Sequence, residues 1–284
     1  MKYLKIKNNI VKIFLELFVF NRQKRSILKA KWVKKNLLKY VDFAVKEPFK
    51  KDSAGEQIIW QYWHQGKENA PLLIQKCFES VEKFESDKKI NVLSFDTIKD
   101  YVELPQKYYN LLESKKIPIA IFSDVLRLYL LEKYGGCWVD ATIYLTDKIP
   151  QAVWEADFCT VQKDPHTDLQ ENKMSCYFIR AKKGSANLQA IKRAIESYWQ
   201  ENDFLINYFM FEHFSTILSD KTAELKTEWD KMPYIDGEIC GKLQRMMFED
   251  FNQKAWENLK SKFFMHKLTY KKQFTEEFLN KVLN

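Results

Sequence analysis

Two hydrophobic periods alternate along this chain. Gln57-Ile58-Ile59-Trp60-Gln61-Tyr62-Trp63 is rich in β-branched and aromatic residues and reads as a buried strand. Pro71 then opens a helix over Leu72 to Phe84, where apolar residues recur at helical spacing. Ile90 to Phe95 predicts a second strand, and strand, helix, strand at this spacing is a βαβ unit with a parallel sheet. Ile119 to Tyr134 is the clearest helix. Leu126, Tyr129 and Leu130 form its apolar side, Val125, Leu128 and Leu131 widen it, and Gly135-Gly136 closes it. Cys137 to Leu145 predicts one strand, and Phe158 to Gln162 with Ser175 to Ala181 a strand pair. Asn187 to Lys260 is mainly helical, and Phe263 to Tyr270 is a late strand. The fold class is α/β.

The N-terminal segment has a different character. Ile10 to Phe20 is apolar but is interrupted by Lys12 and Glu16. A spanning helix needs about 20 mostly apolar residues, and no small-residue cleavage site follows. Between Met1 and Asp42 twelve Lys or Arg face only Glu16 and Asp42, so this segment carries the basicity behind the net charge of +8. The rest of the chain is nearly neutral, which excludes a nucleic-acid binder. Residues 1–50 are therefore expected to be a basic amphipathic helical arm on an anionic membrane surface, each lysine contributing about 1 kcal/mol. The plainer alternative is a helical hairpin packed on the domain. A polar break, Lys50 to Gly55, is expected to separate the arm from the main domain, residues 51–284.

With seven glycines and seven prolines the chain is neither disordered nor a turn-rich all-β protein. Cys77, Cys137, Cys159, Cys176 and Cys240 are odd in number and contain no Cys-x-x-Cys pair. A disulfide framework is disfavoured, and a reducing cytoplasm fits best.

The chemistry concentrates in Ser123-Asp124-Val125-Leu126-Arg127, followed after seven residues by Gly135-Gly136-Cys137-Trp138-Val139-Asp140-Ala141-Thr142. Asp124 and Arg127 are i,i+3 and share a helix face, as a ligand-directed pair or as an intrahelical ion pair. On a strand, Asp140 and Thr142 would project to one face. An acidic residue at the end of a buried α/β strand lies where such sheets bind ligands. There it can hold a ribose hydroxyl or a divalent cation bridging a diphosphate.

The stretch SDVLRLYLLEKYGGCWVDATIYL resembles the donor-binding region of glycosyltransferases with a DXD-type sugar-binding motif. It is most similar to the bacterial capsular polysaccharide synthesis protein family, itself similar to the yeast outer-chain mannosyltransferases. The likeness runs from about Gln57 to Tyr270, through Ile58 to Trp63, Gly66, Ala70-Pro71 and His266-Lys267-Leu268-Thr269-Tyr270. The resemblance implies a GT-A-like, Rossmann-type mixed sheet flanked by helices and a hexosyltransferase-type reaction that retains anomeric configuration. A nucleotide-sugar donor and a glycan or lipid-linked glycan acceptor follow from it. By motif, Asp124 and Arg127 would contact the donor sugar, Asp140 the ribose and a metal, and Trp60, Gln61 and Trp63 the base. Thr142 stands where the broader class has its metal-ligating Asp, and a neutral hydroxyl is a poorer ligand for Mn²⁺ or Mg²⁺. His266 could complete the metal shell, Lys267 could neutralise the leaving group, and His213 could line the acceptor side. The basic arm together with the reducing compartment leads to the expectation of a peripheral protein on the inner face of the cell membrane. The competing reading is a catalytically inactive carbohydrate-binding or scaffold protein of transferase ancestry.

Overall fold

The computed structural model describes residues 2–52 and 57–283. Its first half runs α1 (Lys2–Phe18), α2 (Arg22–Ala44), β1 (Ile58–Tyr62), α3 (Leu72–Phe84), β2 (Lys89–Leu93), α4 (Gln106–Glu113), α5 (Ile119–Tyr134), β3 (Gly136–Val139) and β4 (Ile143–Leu145). There follow α6 (Gln151–Glu155), β5 (Phe158–Gln162), β6 (Met174–Ala181), α7 (Ala186–Glu201), α8 (Met210–Leu218), α9 (Ala223–Asp230), α10 (Gly237–Cys240), α11 (Lys242–Met246), α12 (Gln253–Lys260), β7 (Met265–Lys267) and α13 (Glu276–Phe278). The α/β class is as expected, with a mixed five-stranded sheet in the order β2-β1-β3-β6-β5. β1 runs parallel to β2 and β3, while β6 is antiparallel to β3 and β5. One face of the sheet carries the core of Trp60, Trp138 and Ile179 under α5 and α7; the other carries Ile59, Cys137, Val139 and Phe178.

The strand expected over Cys137 to Leu145 is two strands in two sheets. β3 ends at Val139, and Asp140 to Thr142 form a turn closed by the Ile143 N–H donating to the Asp140 carbonyl at 2.9 Å. β4 leaves the main sheet to pair antiparallel with β7. Gly135-Gly136 has a steric reason: both residues have positive φ, and a Cβ on Gly136 would lie 2.5 Å from the Ile58 carbonyl oxygen. Only glycine lets β3 enter the sheet directly from the end of α5.

The N-terminal arm is not one appendage. In α2, Ala30, Val33, Leu37, Tyr40, Val41 and Ala44 are buried, and this i, i+3, i+7 stripe packs on α7 and α8. Tyr40 accepts a hydrogen bond from Asn202 Nδ2 at 2.8 Å, and Arg193 donates to the Ala44, Glu47 and Pro48 carbonyls. The expected boundary at residue 50 is therefore not a packing boundary. Charge count hid the apolar stripe, because the lysines of α2 occupy its outer side. Residues 53–55 of the expected polar break lie outside the described residues. In α1, by contrast, Ile6, Ile10, Ile13, Phe14, Leu17 and Phe18 are all more than half exposed. None of the helices among the described residues is long and apolar enough to cross a membrane.

Leu37→Ala should lower the unfolding free energy by about 2–5 kcal/mol in urea titration, as for other buried leucines. A silent Leu37→Ala would return α2 to the status of a detachable arm.

Candidate functional site

A cavity of 440 Å³ opens at the carboxyl ends of the parallel strands β1 and β3, where open α/β sheets bind ligands. Its walls include Trp63 and His64 after β1, Asp140 to Thr142 after β3, Tyr208 before α8, and Lys267 to Lys271 at and beyond β7. Chain reversal after β3 is what aims Asp140 into it.

Asp140 is held from three sides. Trp138 Nε1 donates to Oδ1 at 2.8 Å, Arg127 Nη2 lies 3.3 Å from the same oxygen, and Lys267 Nζ donates to Oδ2 at 2.8 Å. Burial alone would raise this carboxyl, but Lys267 and Arg127 outweigh it and hold the group below the usual carboxylate range.

Behind Asp140 lies a buried charge cluster. Arg127, 2% exposed, pairs with Asp124 at 2.9 Å, donates to the Ser123 carbonyl at 3.3 Å and to the Cys176 carbonyl, and stacks 4.8 Å from the Trp138 ring centre. Cys176 Sγ lies 3.7 Å from Asp124 and 3.4 Å from Glu212. Burial pushes Asp124 up to about 7 despite Arg127, with Glu212 and Asp140 adding repulsion. Burial also raises Glu212. Three carboxylates face two cations here, so protonation of one of the buried acids relieves repulsion that water cannot screen.

The expected site residues divide clearly. Trp63, Asp140, Thr142 and Lys267 line the cavity. Asp124 and Arg127 sit one layer behind it, and Arg127 reaches the site by gripping Asp140. Trp60 does not face the cavity: it is 1% exposed, its Nε1 donates to the Gly135 carbonyl at 3.0 Å, and its ring packs on Tyr101 and Tyr134. Gln61 is buried on the opposite side of β1 by strand alternation. His266 is also on the wrong side of its strand. It is buried between Trp256 and Phe263 with Nε2 3.1 Å from Thr146 Oγ1, while Lys267 beside it turns to Asp140. Burial lowers its pKa to about 4. His213 is buried against Asn172 at 2.8 Å, its pKa lowered by burial to about 3; its neighbour Glu212, one helical step round, is the residue that meets the charge cluster.

The donor set does not fit a protein-held divalent cation. No group of three His, Cys, Asp or Glu able to hold a metal occurs among the described residues, and both oxygens of Asp140 already meet cationic partners. Tyr208, Gln244 and Lys271 line the cavity without a signal in the sequence, and Tyr270, part of the block that carries the resemblance, lines it too. Trp138 was legible in principle, since i and i+2 on a strand share a face with Asp140. Tyr208 arrives from a remote loop with no local signal.

Residues 7–283 match the model of the capsular polysaccharide synthesis protein family, and the chain belongs to that family. The O-glycosyltransferase braB of Annulohypoxylon truncatum is 23% identical over 160 residues, 50% of this chain and 37% of that protein. The chain thus spans little more than a third of that relative's length. A solved structure, the PaToxG glycosyltransferase, is similar with a TM-score of 0.41 and 14% identity over 72% of this chain and 83% of that one.

Two measurements test the cluster. Arg127→Lys keeps the charge but not the planar fork, and should lose about 1.5–3 kcal/mol of stability rather than the few tenths of an exposed pair. Asp124 has a folded pKa above its unfolded value, so its contribution to stability is full below roughly pH 4 and is lost as pH rises through about 7. The melting temperature of the wild type relative to Asp124→Asn should therefore fall between pH 4 and 7.5. A flat difference would mean that Asp124 is ionised throughout.

Proposed function

We propose that this chain is a GT-A-type, nucleotide-sugar-dependent glycosyltransferase that moves a sugar onto a glycan acceptor. The observation that carries the reading is Asp140, clamped by Trp138, Arg127 and Lys267 on the wall of a cavity at the carboxyl edge of β1 and β3. Family membership and the glycosyltransferase named among the relatives support it.

In this reading the bond between the anomeric carbon and the diphosphate oxygen breaks, and the acceptor hydroxyl oxygen bonds to that carbon. Lys267 swings from Asp140 to the departing diphosphate and neutralises the charge that develops there. Asp140, released from Lys267 but still oriented by Arg127 and Trp138, accepts hydrogen bonds from donor hydroxyls. Trp63, with a buried Nε1 that has no partner among the described residues and a ring 5.2 Å from Tyr270, offers a stacking surface to the base. Asp140 is the one carboxylate lining the cavity among the described residues, and in this reading it stays engaged by Arg127 and Trp138 and occupied with donor hydroxyls rather than free to attack. This favours front-face attack with retention, the leaving diphosphate oxygen taking the acceptor proton. No step is routed through a divalent cation, because the donor set does not suit one.

The protein is further proposed to rest on an anionic membrane surface through α1. Its exposed stripe of Ile6, Ile10, Ile13, Phe14, Leu17 and Phe18, with Lys7 beside it and Lys5 and Lys12 on another face, has the form of an interfacial helix. The acceptor and the inner-leaflet location belong to the same proposal.

Asp140→Asn should lower transfer about 10²–10³-fold with the fold intact. Turnover unchanged in this variant, measured against a nucleotide-sugar panel, would defeat the site assignment and leave the binding-protein reading. The Ile13→Glu, Phe14→Glu, Leu17→Glu triple variant should no longer sediment with anionic vesicles while its melting temperature stays unchanged, since all three side chains are exposed. Retained vesicle binding would remove α1 from the membrane proposal.

A further inference from the structure

With Asp124 and Arg127 one layer behind the donor cavity, the transferred sugar must meet other side chains. The order of the sheet points to one. Trp63 follows β1, Asp140 follows β3, and β6 is the next strand across. α8 packs on β6, and the loop that leads into α8 brings Tyr208 to the cavity wall. Trp63, Asp140 and Tyr208 therefore follow one another along the lining of one 440 Å³ cavity. With the base on Trp63 and the diphosphate at Lys267, the remaining end of the donor, its sugar, is directed toward Tyr208. A cavity of this size takes one small ligand, so Tyr208 and Asp140 meet the same molecule.

Tyr208 is 52% exposed, yet its loop is pinned on both sides. Phe204 and Ile206 are buried before it, and Asn207 Oδ1 closes a turn by accepting the Phe209 N–H at 2.8 Å. Asn207 Nδ2 donates to Gln170 Oε1 at 3.3 Å, which ties the loop to the chain between β5 and β6. The Phe209 ring braces Tyr208 edge-on, 5.3 Å between centres. An aromatic ring that is both fixed and open offers contact area at little cost in conformational entropy. Partial burial pushes its hydroxyl up to about 12, and the acidic groups Asp124, Cys176, Asp140 and Glu212 add to the rise, so the residue stays an uncharged phenol.

We propose that Tyr208 is the residue that selects the transferred sugar: its ring takes the C–H face of the pyranose while Asp140 accepts hydrogen bonds from hydroxyls at the pyranose edge. The inference rests on the transferase reading and deepens it, because it assigns the sugar end of the donor to a residue far in sequence from the Asp124 to Thr142 block. A pyranose carries most of its hydroxyls round the edge and C–H groups on its faces. A carboxylate at the edge and an aromatic ring on a face therefore read different features of one sugar. An epimer that turns a hydroxyl onto the ring face would lose hydration there without gaining a partner. Tyr208 thus discriminates among sugars on one nucleotide, whereas Trp63 responds to the nucleotide itself.

The test titrates UDP-, GDP- and dTDP-linked hexoses, and UDP, GDP and dTDP alone, into the full chain by calorimetry. Tyr208→Ala should weaken the nucleotide sugar that the wild type binds best by about tenfold, the size of a buried aromatic contact, and its bare nucleoside diphosphate hardly at all. Tyr208→Leu keeps bulk without a ring and should match Tyr208→Ala, which keeps the test decisive if the alanine variant does not fold. Tyr208→Phe should bind like the wild type. Across hexoses on one nucleotide, the spread of affinities should narrow in the alanine and leucine variants only. Equal losses for nucleotide sugar and diphosphate would overturn the proposal, as would no loss for either. So would a Tyr208→Phe variant as weak as Tyr208→Ala, since the hydroxyl and not the ring would then make the contact. A wild type that binds none of these nucleotides would overturn the transferase reading itself. Nucleotide-sugar binding that is indifferent to Tyr208 would overturn this assignment alone.

Discussion

The site depends on one buried cation. Arg127 is almost fully removed from water, and an unpaired charge there would cost several kcal/mol. Its guanidinium therefore has to be matched, and the matching residues come from three elements: Asp124 on its own helix, the Cys176 carbonyl on β6, and Asp140 beyond β3. Each is fixed by a different piece of chain. The guanidinium is consequently a staple between α5 and the two central strands, and its fork geometry decides where the Asp140 carboxylate stands. Lys267 approaches from the other side on β7, so the carboxylate faces opposite cations across a few ångströms.

How much of this was legible in the sequence depends on the distance over which each signal acts. The helices Leu72–Phe84 and Ile119–Tyr134 and the strand Phe158–Gln162 follow from local periodicity and stand at the expected residues. The Asp124, Arg127 and Asp140 spacing was readable because all three lie within seventeen residues. What failed were statements about which side of a strand a residue faces. Trp60, Gln61 and His266 were placed in the site by their company in the sequence, and alternation sends them into the core instead. One-residue differences decide these cases: Lys267 rather than His266, Glu212 rather than His213. The turn that ends β3 at Val139 had no clear mark, since Asp140-Ala141-Thr142 contains neither glycine nor proline.

The N-terminal segment shows how charge can mask packing. Counting lysines makes α1 and α2 a single basic arm, yet the lysines of α2 sit outside a stripe that is completely buried, while α1 turns its own stripe to solvent. The same composition thus serves two purposes. α2 closes the sheet-flanking layer on α7 and α8, and α1, packed against α2, keeps an exposed apolar surface with lysines beside it.

That arrangement has a consequence for synthesis. Tyr40 and its partner Asn202 are 162 residues apart in the chain. At ribosomal speeds of about 5–20 residues per second, α2 leaves the ribosome roughly ten to thirty seconds before α7 exists to receive it. For that interval the nascent chain displays two apolar helical faces, one of which never finds an intramolecular partner. A chaperone or another apolar surface would shelter both until α7 is made, after which the stripe of α2 is covered and that of α1 stays open to solvent.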